Sequence, residues 1–277
     1  MTIADHTPRA VRIQWAGLAG RESGAKTTGR PSFVFLHGLT FDRRMWDPVL
    51  EALPDNHRAI AFDLPGHGGS PALPDQGLAP VVEAIHDAVV AAALDSPVMV
   101  GHSIGGPLAA IYAASHPAAG VVSVDAPIRL EPFAELLQHI GPQLSGAGFG
   151  QVWETLRAGL HMELLTDEQR ELLRSGDHPS QEVFLSYQHD LLARPLEDVV
   201  RWRDEGLERL RRAGTPYVAL QANPVDEVDR TFLAERLPQA ELVVWPVGHH
   251  FPHLSEPVRF AALLTGLAAG VEAKRAA

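Results

Sequence analysis

The chain has 277 residues, 45% hydrophobic and 21% charged, with a net charge of −11 and no cysteine. That length allows one large domain or two small ones with a sizeable buried core. The acidic balance argues against nucleic acid or an anionic membrane surface as a partner, and without cysteine neither disulfides nor thiolate-held metals can form.

From the N-terminus, Met1–Ala10 is polar and carries Asp5 and His6 in place of the apolar segment of a secretory leader. No apolar run reaches the ~18–20 residues of a membrane span, so a soluble, cytoplasmic protein is expected; its oligomeric state is left open. β-rich runs follow at Val11–Trp15, Ser32–Leu36, Ala59–Phe62, Val98–Val100, Val121–Val124, Tyr217–Leu220 and Leu242–Trp245. Several are apolar throughout, the pattern of strands buried on both faces. Helical segments separate most of them; Leu78, Val81, Val82, Ile85 and Val89 recur at helical spacing between the third run and the fourth. Strand–helix alternation predicts an α/β fold, a mostly parallel sheet covered on both faces.

The alternation stops between about Ile128 and Gly214, where helix formers dominate and no strand is expected. Thr166 with Gln169 reads as a capping box, and Gly141-Pro142 and Gly146-Ala147-Gly148 divide the stretch. Residues 128–213 are therefore expected to form a helical cap over a core of residues 1–127 and 214–277. After Pro257 an alanine- and leucine-rich helix is predicted to fray beyond Gly270.

The stretch that carries chemistry is Gly101-His102-Ser103-Ile104-Gly105. A buried strand leads into it and the small-residue helix Pro107–Ala114 leads out. A serine at so sharp a turn is forced into strained backbone angles, and the flanking glycines let neighbouring backbone approach closely. The helix N-terminus beneath offers free N–H groups to a developing oxyanion. The alternative is a Gly-rich structural turn with a helix-capping serine.

Three further motifs accompany it in order: His37-Gly38 after the second run, Asp63-Leu64-Pro65-Gly66-His67-Gly68-Gly69-Ser70 after the third, and Gly248-His249-His250-Phe251-Pro252-His253-Leu254 near the end. With the Gly101–Gly105 turn, a nucleophile elbow in this reading, the set closely resembles the α/β-hydrolase family over nearly the whole chain, least over the helical stretch and the first ~30 residues. The resemblance implies an eight-stranded type of sheet, a helical cap and a Ser…Asp…His triad in that chain order. It makes Ser103 the nucleophile and the backbone N–H groups of Ile104 and Leu39 the oxyanion donors. His37, His67 and His102 belong to its signatures and read as loop-fixing residues. The base is ambiguous between His249, which copies the Gly-His dipeptide, and His250, which the register of Phe251-Pro252-His253-Leu254 favours; His249 then stands where the family has glycine. The acid is open between Asp226, which follows Leu220–Val225 one residue later than usual and is slightly favoured, and Asp125 at the tip of Val121–Val124.

Such a set would hydrolyse a small to medium, largely apolar carboxylic ester, lactone or thioester through an acyl-enzyme. The same triad could instead cleave C–C bonds or act as a cofactor-free lyase, and a ligand receptor with slow or no turnover is a third reading. Phe149, Trp153, Met162 and Tyr187 are the candidate pocket residues, against the alternative that they only pack helices. Arg43, Arg44 and Arg129 could meet a substrate carboxylate. No phosphate loop, dinucleotide fingerprint or metal motif occurs, and His249, His250 and His253 lack metalloprotease spacing, so neither cofactor nor metal is expected; the expected partner is a small-molecule substrate.

Overall fold

The computed structural model describes residues 13–276, so Met1–Ala10 and the start of the Val11–Trp15 run lie outside the described residues. Eight strands form one sheet: β1 (Ile13–Trp15), β2 (Leu18–Ser23), β3 (Phe33–Leu36), β4 (Ala59–Phe62), β5 (Val98–His102), β6 (Gly120–Val124), β7 (Tyr217–Gln221) and β8 (Ala240–Val244). Their order is β1-β2-β4-β3-β5-β6-β7-β8, with β1 and β2 antiparallel and every pair from β4 to β8 parallel. Strands β3 to β6 are buried at every position, because helices cover both of their faces.

Alternate residues of each strand feed opposite layers. Phe33, Phe35, Val98, Val100 and Val122 pack with Trp46, Val49, Phe260 and Leu264 on one face. Val34, Leu36, Ile60, Met99 and Val121 pack with Val82, Ile85, Leu108 and Tyr112 on the other. The first layer is built from α1 (Asp47–Ala52) and α12 (Pro257–Ala276), the second from α2 (Leu78–Ala91) and α3 (Gly105–Ser115). α12 continues past Gly270 instead of fraying there, since Ala268 and Val271 are still buried against the sheet. The hairpin partner β2 lies outside the β-rich runs of the sequence. It reads Leu-Ala-Gly-Arg-Glu-Ser and is buried only in its first half, so it lacks the apolar run of a central strand.

Between β6 and β7 stand α4 (Glu131–Leu144), α5 (Phe149–Ala158), α6 (Asp167–Gly176), α7 (Gln181–Tyr187), α8 (His189–Ala193) and α9 (Leu196–Ala213). The capping box forms as expected, with Thr166 Oγ1 and Gln169 Oε1 exchanging backbone donors at 3.3 and 3.0 Å. Gly146–Gly148 separates α4 from α5, whereas Gly141-Pro142 is carried within the last turn of α4, where proline removes only one helical bond. The end of α9 belongs to the core layer: Leu207 and Leu210 pack among Ala110, Ala113, Ala219 and Leu237. The sheet layer thus resumes inside α9, before residue 214, because adjacent parallel strands need a crossover helix packed on the sheet. α10 (Glu227–Arg236) crosses from β7 to β8, and α11 (Pro252–Ser255) precedes α12.

Candidate active site

Ser103 leaves β5 at φ 53, in the left-handed region, and α3 starts two residues later. A Cβ on Gly101 would lie 1.8 Å from the Gly105 carbonyl oxygen, and one on Gly105 would lie 2.4 Å from that of Leu36. Only glycine at both places lets the turn close this tightly. The serine N–H donates to the Val124 carbonyl at 2.9 Å and its carbonyl accepts the Gly106 N–H at 2.9 Å. Its backbone is therefore fixed on both sides while its hydroxyl borders a cavity of about 660 Å³.

His250 borders the same cavity, in the loop after β8, and its N–H donates to the Leu160 carbonyl at 3.1 Å. Its Nδ1 donates to Asp125 Oδ2 at 2.6 Å. Asp125 in turn accepts the Ala222 N–H through Oδ1 at 2.8 Å and donates its own N–H to Leu220 at 2.7 Å. Like Ser103 it is a non-glycine residue at positive φ, 46°. The sheet register explains the pairing: His102 lies opposite Val124, so Ser103 and Asp125 leave neighbouring strands at the same level.

The structure brings Asp125, and not the slightly favoured Asp226, against the His250 ring. Val124 lies opposite Leu220, which leaves Asp226 five residues beyond the level of Asp125's neighbour Gln221. By then the chain has passed Pro224 and entered α10, where the Asp226 carboxylate is the N-cap, accepting the Asp229 N–H at 2.7 Å. It meets the cavity wall but not His250.

Both ring nitrogens of His249 are occupied elsewhere: Nδ1 accepts the Phe251 N–H at 3.1 Å and Nε2 donates to Ser255 Oγ at 2.6 Å. The preceding Gly248, at φ 77, takes up the turn. Three other histidines tie loops together. Nε2 of His37 accepts the Leu64 N–H at 2.9 Å while Nδ1 donates to Gly38 at 2.7 Å. Nε2 of His67 accepts the Thr40 N–H at 3.1 Å and Nδ1 donates to Pro65 at 3.0 Å. Burial pulls these two down to about 4 and about 3, so both are neutral. His102, also held neutral by burial, donates Nε2–H to the His250 carbonyl at 2.7 Å, a link between elbow and histidine loop that the motif alone does not announce.

Leu39 and Ile104 line the cavity beside Ser103, and among the described residues neither backbone N–H has an acceptor. Of the expected pocket residues Trp153 and Tyr187 are in the wall. Phe149 instead packs behind it on Phe184, with ring centroids 5.8 Å apart, and Met162 packs on the core cluster that holds Phe41 and Phe251. The spacing that marks a buried helix face does not say which side of a two-layer insertion it meets. Val199, Trp202 and Gly206 of α9 also line the cavity, a contribution readable only in the three-to-four-residue spacing along that helix. None of the arginines considered for a substrate carboxylate borders it: Arg43 is bound to Asp63, Arg44 to Asp42 and Arg129 to Asp229. Arg203 does border it, held by both oxygens of Glu131 at 2.9 Å.

A strained serine on a strand–helix turn, a histidine–aspartate pair at the carboxyl edge of the same sheet and a helical insertion above them define a class of hydrolase-like α/β proteins. The alpha/beta hydrolase family model matches residues 33–263, and the chain belongs to that family. Over 92% of its length it superposes on an esterase from Thermogutta terrifontis with malate bound, covering 94% of that chain at TM-score 0.70 and 22% identity. An enol-lactonase from Burkholderia xenovorans LB400 matches over 92% of this chain and 98% of its own, at TM-score 0.70 and 17% identity. A loop variant of a haloalkane dehalogenase from Bradyrhizobium elkanii matches over 94% and 95%, at TM-score 0.70 and 19% identity. At these identities the likeness is one of fold. Curated relatives from Salmonella paratyphi B and Salmonella newport, 2-succinyl-6-hydroxy-2,4-cyclohexadiene-1-carboxylate synthases, are 41% identical over 85 residues. That stretch spans 31% of this chain and 33% of those proteins. Among the described residues no helix is long and apolar enough to cross a membrane.

Proposed function

We propose that the protein is a serine hydrolase of carboxylic esters, lactones or thioesters with a largely apolar acyl or alkyl group. The observation that carries this reading is the 2.6 Å contact of His250 Nδ1 with Asp125, at a cavity shared with Ser103 on its strained turn. Ser103 Oγ attacks the acyl carbon while His250 Nε2 takes its proton, and Asp125 holds the tautomer and offsets the imidazolium charge. The N–H groups of Leu39 and Ile104 stabilise the tetrahedral oxyanion. Collapse expels the alcohol, protonated by His250, and water activated by the same imidazole releases the acid. No step requires a metal or cofactor. Helices α4 to α8 act as a specificity cap, supported by Trp153, Phe184, Tyr187 and Leu191 in the cavity wall.

Mostly apolar walls support a neutral substrate over a multiply charged one; of the two arginines that border the cavity, Arg203 is held by Glu131 and Arg209 donates to the Ala114 carbonyl. The stretch shared with the Salmonella synthases supports a second reading, a cofactor-free lyase using the same residues. It ranks behind hydrolysis because the product in their name carries a succinyl and a carboxylate group.

Labelling with a fluorophosphonate, followed by p-nitrophenyl esters of graded chain length, tests the proposal. Ser103 is expected to carry the label and Ser103→Ala to lower kcat by on the order of 10⁶. A label on another serine, or one slow turnover followed by arrest as in a receptor, overturns it.

A further inference from the structure

The loop that carries the Leu39 N–H is held from outside the core. Thr40, the next residue, is buried at φ 70, a left-handed conformation that a β-branched side chain rarely adopts. Such a conformation persists only where surrounding contacts impose it. Here each polar group of the residue is engaged. Its N–H donates to His67 Nε2 at 3.1 Å, its carbonyl accepts the His178 N–H at 2.9 Å, and its hydroxyl donates to Asp177 Oδ1 at 2.9 Å.

Two of those three partners come from the turn between α6 and α7, in the helical insertion. The turn is itself seated firmly. Asp177 Oδ2 lies 3.3 Å from the Arg157 guanidinium of α5, and Arg44 donates to the Ser175 carbonyl. A Cβ on Gly176 would stand 2.9 Å from the Asp42 carboxyl carbon, so insertion and loop are in direct contact there.

We infer that Asp177 and His178 are positioning residues for catalysis: by clamping Thr40 in its left-handed conformation they fix the chain just after Leu39, and with it the N–H that faces the oxyanion. This rests on the reading of Leu39 as an oxyanion donor. It also makes the insertion part of the catalytic frame as well as a wall of the pocket, so seating of the α6–α7 turn and acyl transfer are coupled.

Losing an oxyanion donor outright costs about 10²–10³ in kcat; slackening one should cost less. In p-nitrophenyl butyrate hydrolysis Asp177→Ala is expected to lower kcat by roughly 10- to 100-fold with KM held within about threefold. Glycine adopts this φ without a clamp. Adding Asp177→Ala to Thr40→Gly should therefore change kcat by less than about threefold, a rescue that general loosening of the fold would not produce. Thr40→Ala removes the same hydrogen bond from the other side and reads the coupling if Asp177→Ala does not fold. A kcat like that of the unaltered protein, a loss confined to KM, or an equal loss in the Thr40→Gly background overturns the inference while the hydrolase reading stands. If the unaltered protein is neither labelled by fluorophosphonate nor turns over the ester, reading and inference fall together.

Discussion

Asp125 serves two partners with one carboxylate, His250 Nδ1 through Oδ2 and the Ala222 N–H through Oδ1. The second bond anchors the carboxylate so that the first can orient a ring. Asp125→Asn preserves the shape but offers the imidazole an amide, which permits the wrong tautomer; kcat is expected to fall by on the order of 10⁴. Asp226→Asn should leave kcat within about threefold, since asparagine caps a helix as well as aspartate. Steady-state kinetics of the two variants at one pH decide between them, and the reverse ranking would return the role to Asp226. At the neighbouring position, His249→Ala strips acceptor and donor from Phe251 N–H and Ser255. Stability should drop by about 1–3 kcal/mol in urea melts, while kcat stays within about tenfold, unlike His250→Ala.

The helices of the insertion differ in what they do at the cavity. Trp153 of α5 and Tyr187 of α7 border it directly, whereas Phe149 and Met162 support the wall or the core behind. Tyr187 is also pinned, its hydroxyl donating to the Pro65 carbonyl at 2.9 Å across the insertion–core boundary. Trp153→Ala should shift relative kcat/KM along the ester chain-length series by about 1–3 kcal/mol, the range available to apolar pocket contacts. Met162→Ala should lower the melting temperature and leave that series in the same order. A flat profile for Trp153→Ala would remove α5 from the substrate pocket.

Across the whole molecule, His37, His67, His102 and His253 are buried and held neutral by desolvation, the first two at about 4 and about 3. In the unfolded chain each would titrate near ~6.5. Below that pH the unfolded state binds protons that the folded state refuses, so stability is full above ~6.5 and falls as the pH drops toward each folded value. The loss is up to about 1.4 kcal/mol per pH unit for each histidine. Carboxylates held down by arginine, such as Asp42 and Glu131, add to the loss only below about 4.3. Urea midpoints at pH 7 and pH 5 should differ markedly, and His67→Gln should make the dependence shallower; a midpoint independent of pH over this window would contradict neutral burial.

What the sequence by itself determined lies within a few residues of chain. Gly101, Ser103 and Gly105 encode a turn whose backbone angles and contacts are set by their immediate neighbours, and the apolar runs at Phe33–Leu36 and Val121–Val124 declare strands buried on both faces because burial must show in composition. The resemblance carried by those motifs extended this to the family. The partner of His250 could not be read that way. Asp125 and Asp226 both follow strands at the same sheet edge, and the choice turns on the register of β6 against β5 and on the helix N-cap that engages Asp226. The same holds for β2, whose mixed composition suits only its place beside β4, and for Thr40, whose strained conformation depends on a turn 137 residues away. Pairings between distant segments are decided by the folded geometry, because the groups that compete for each partner meet only there.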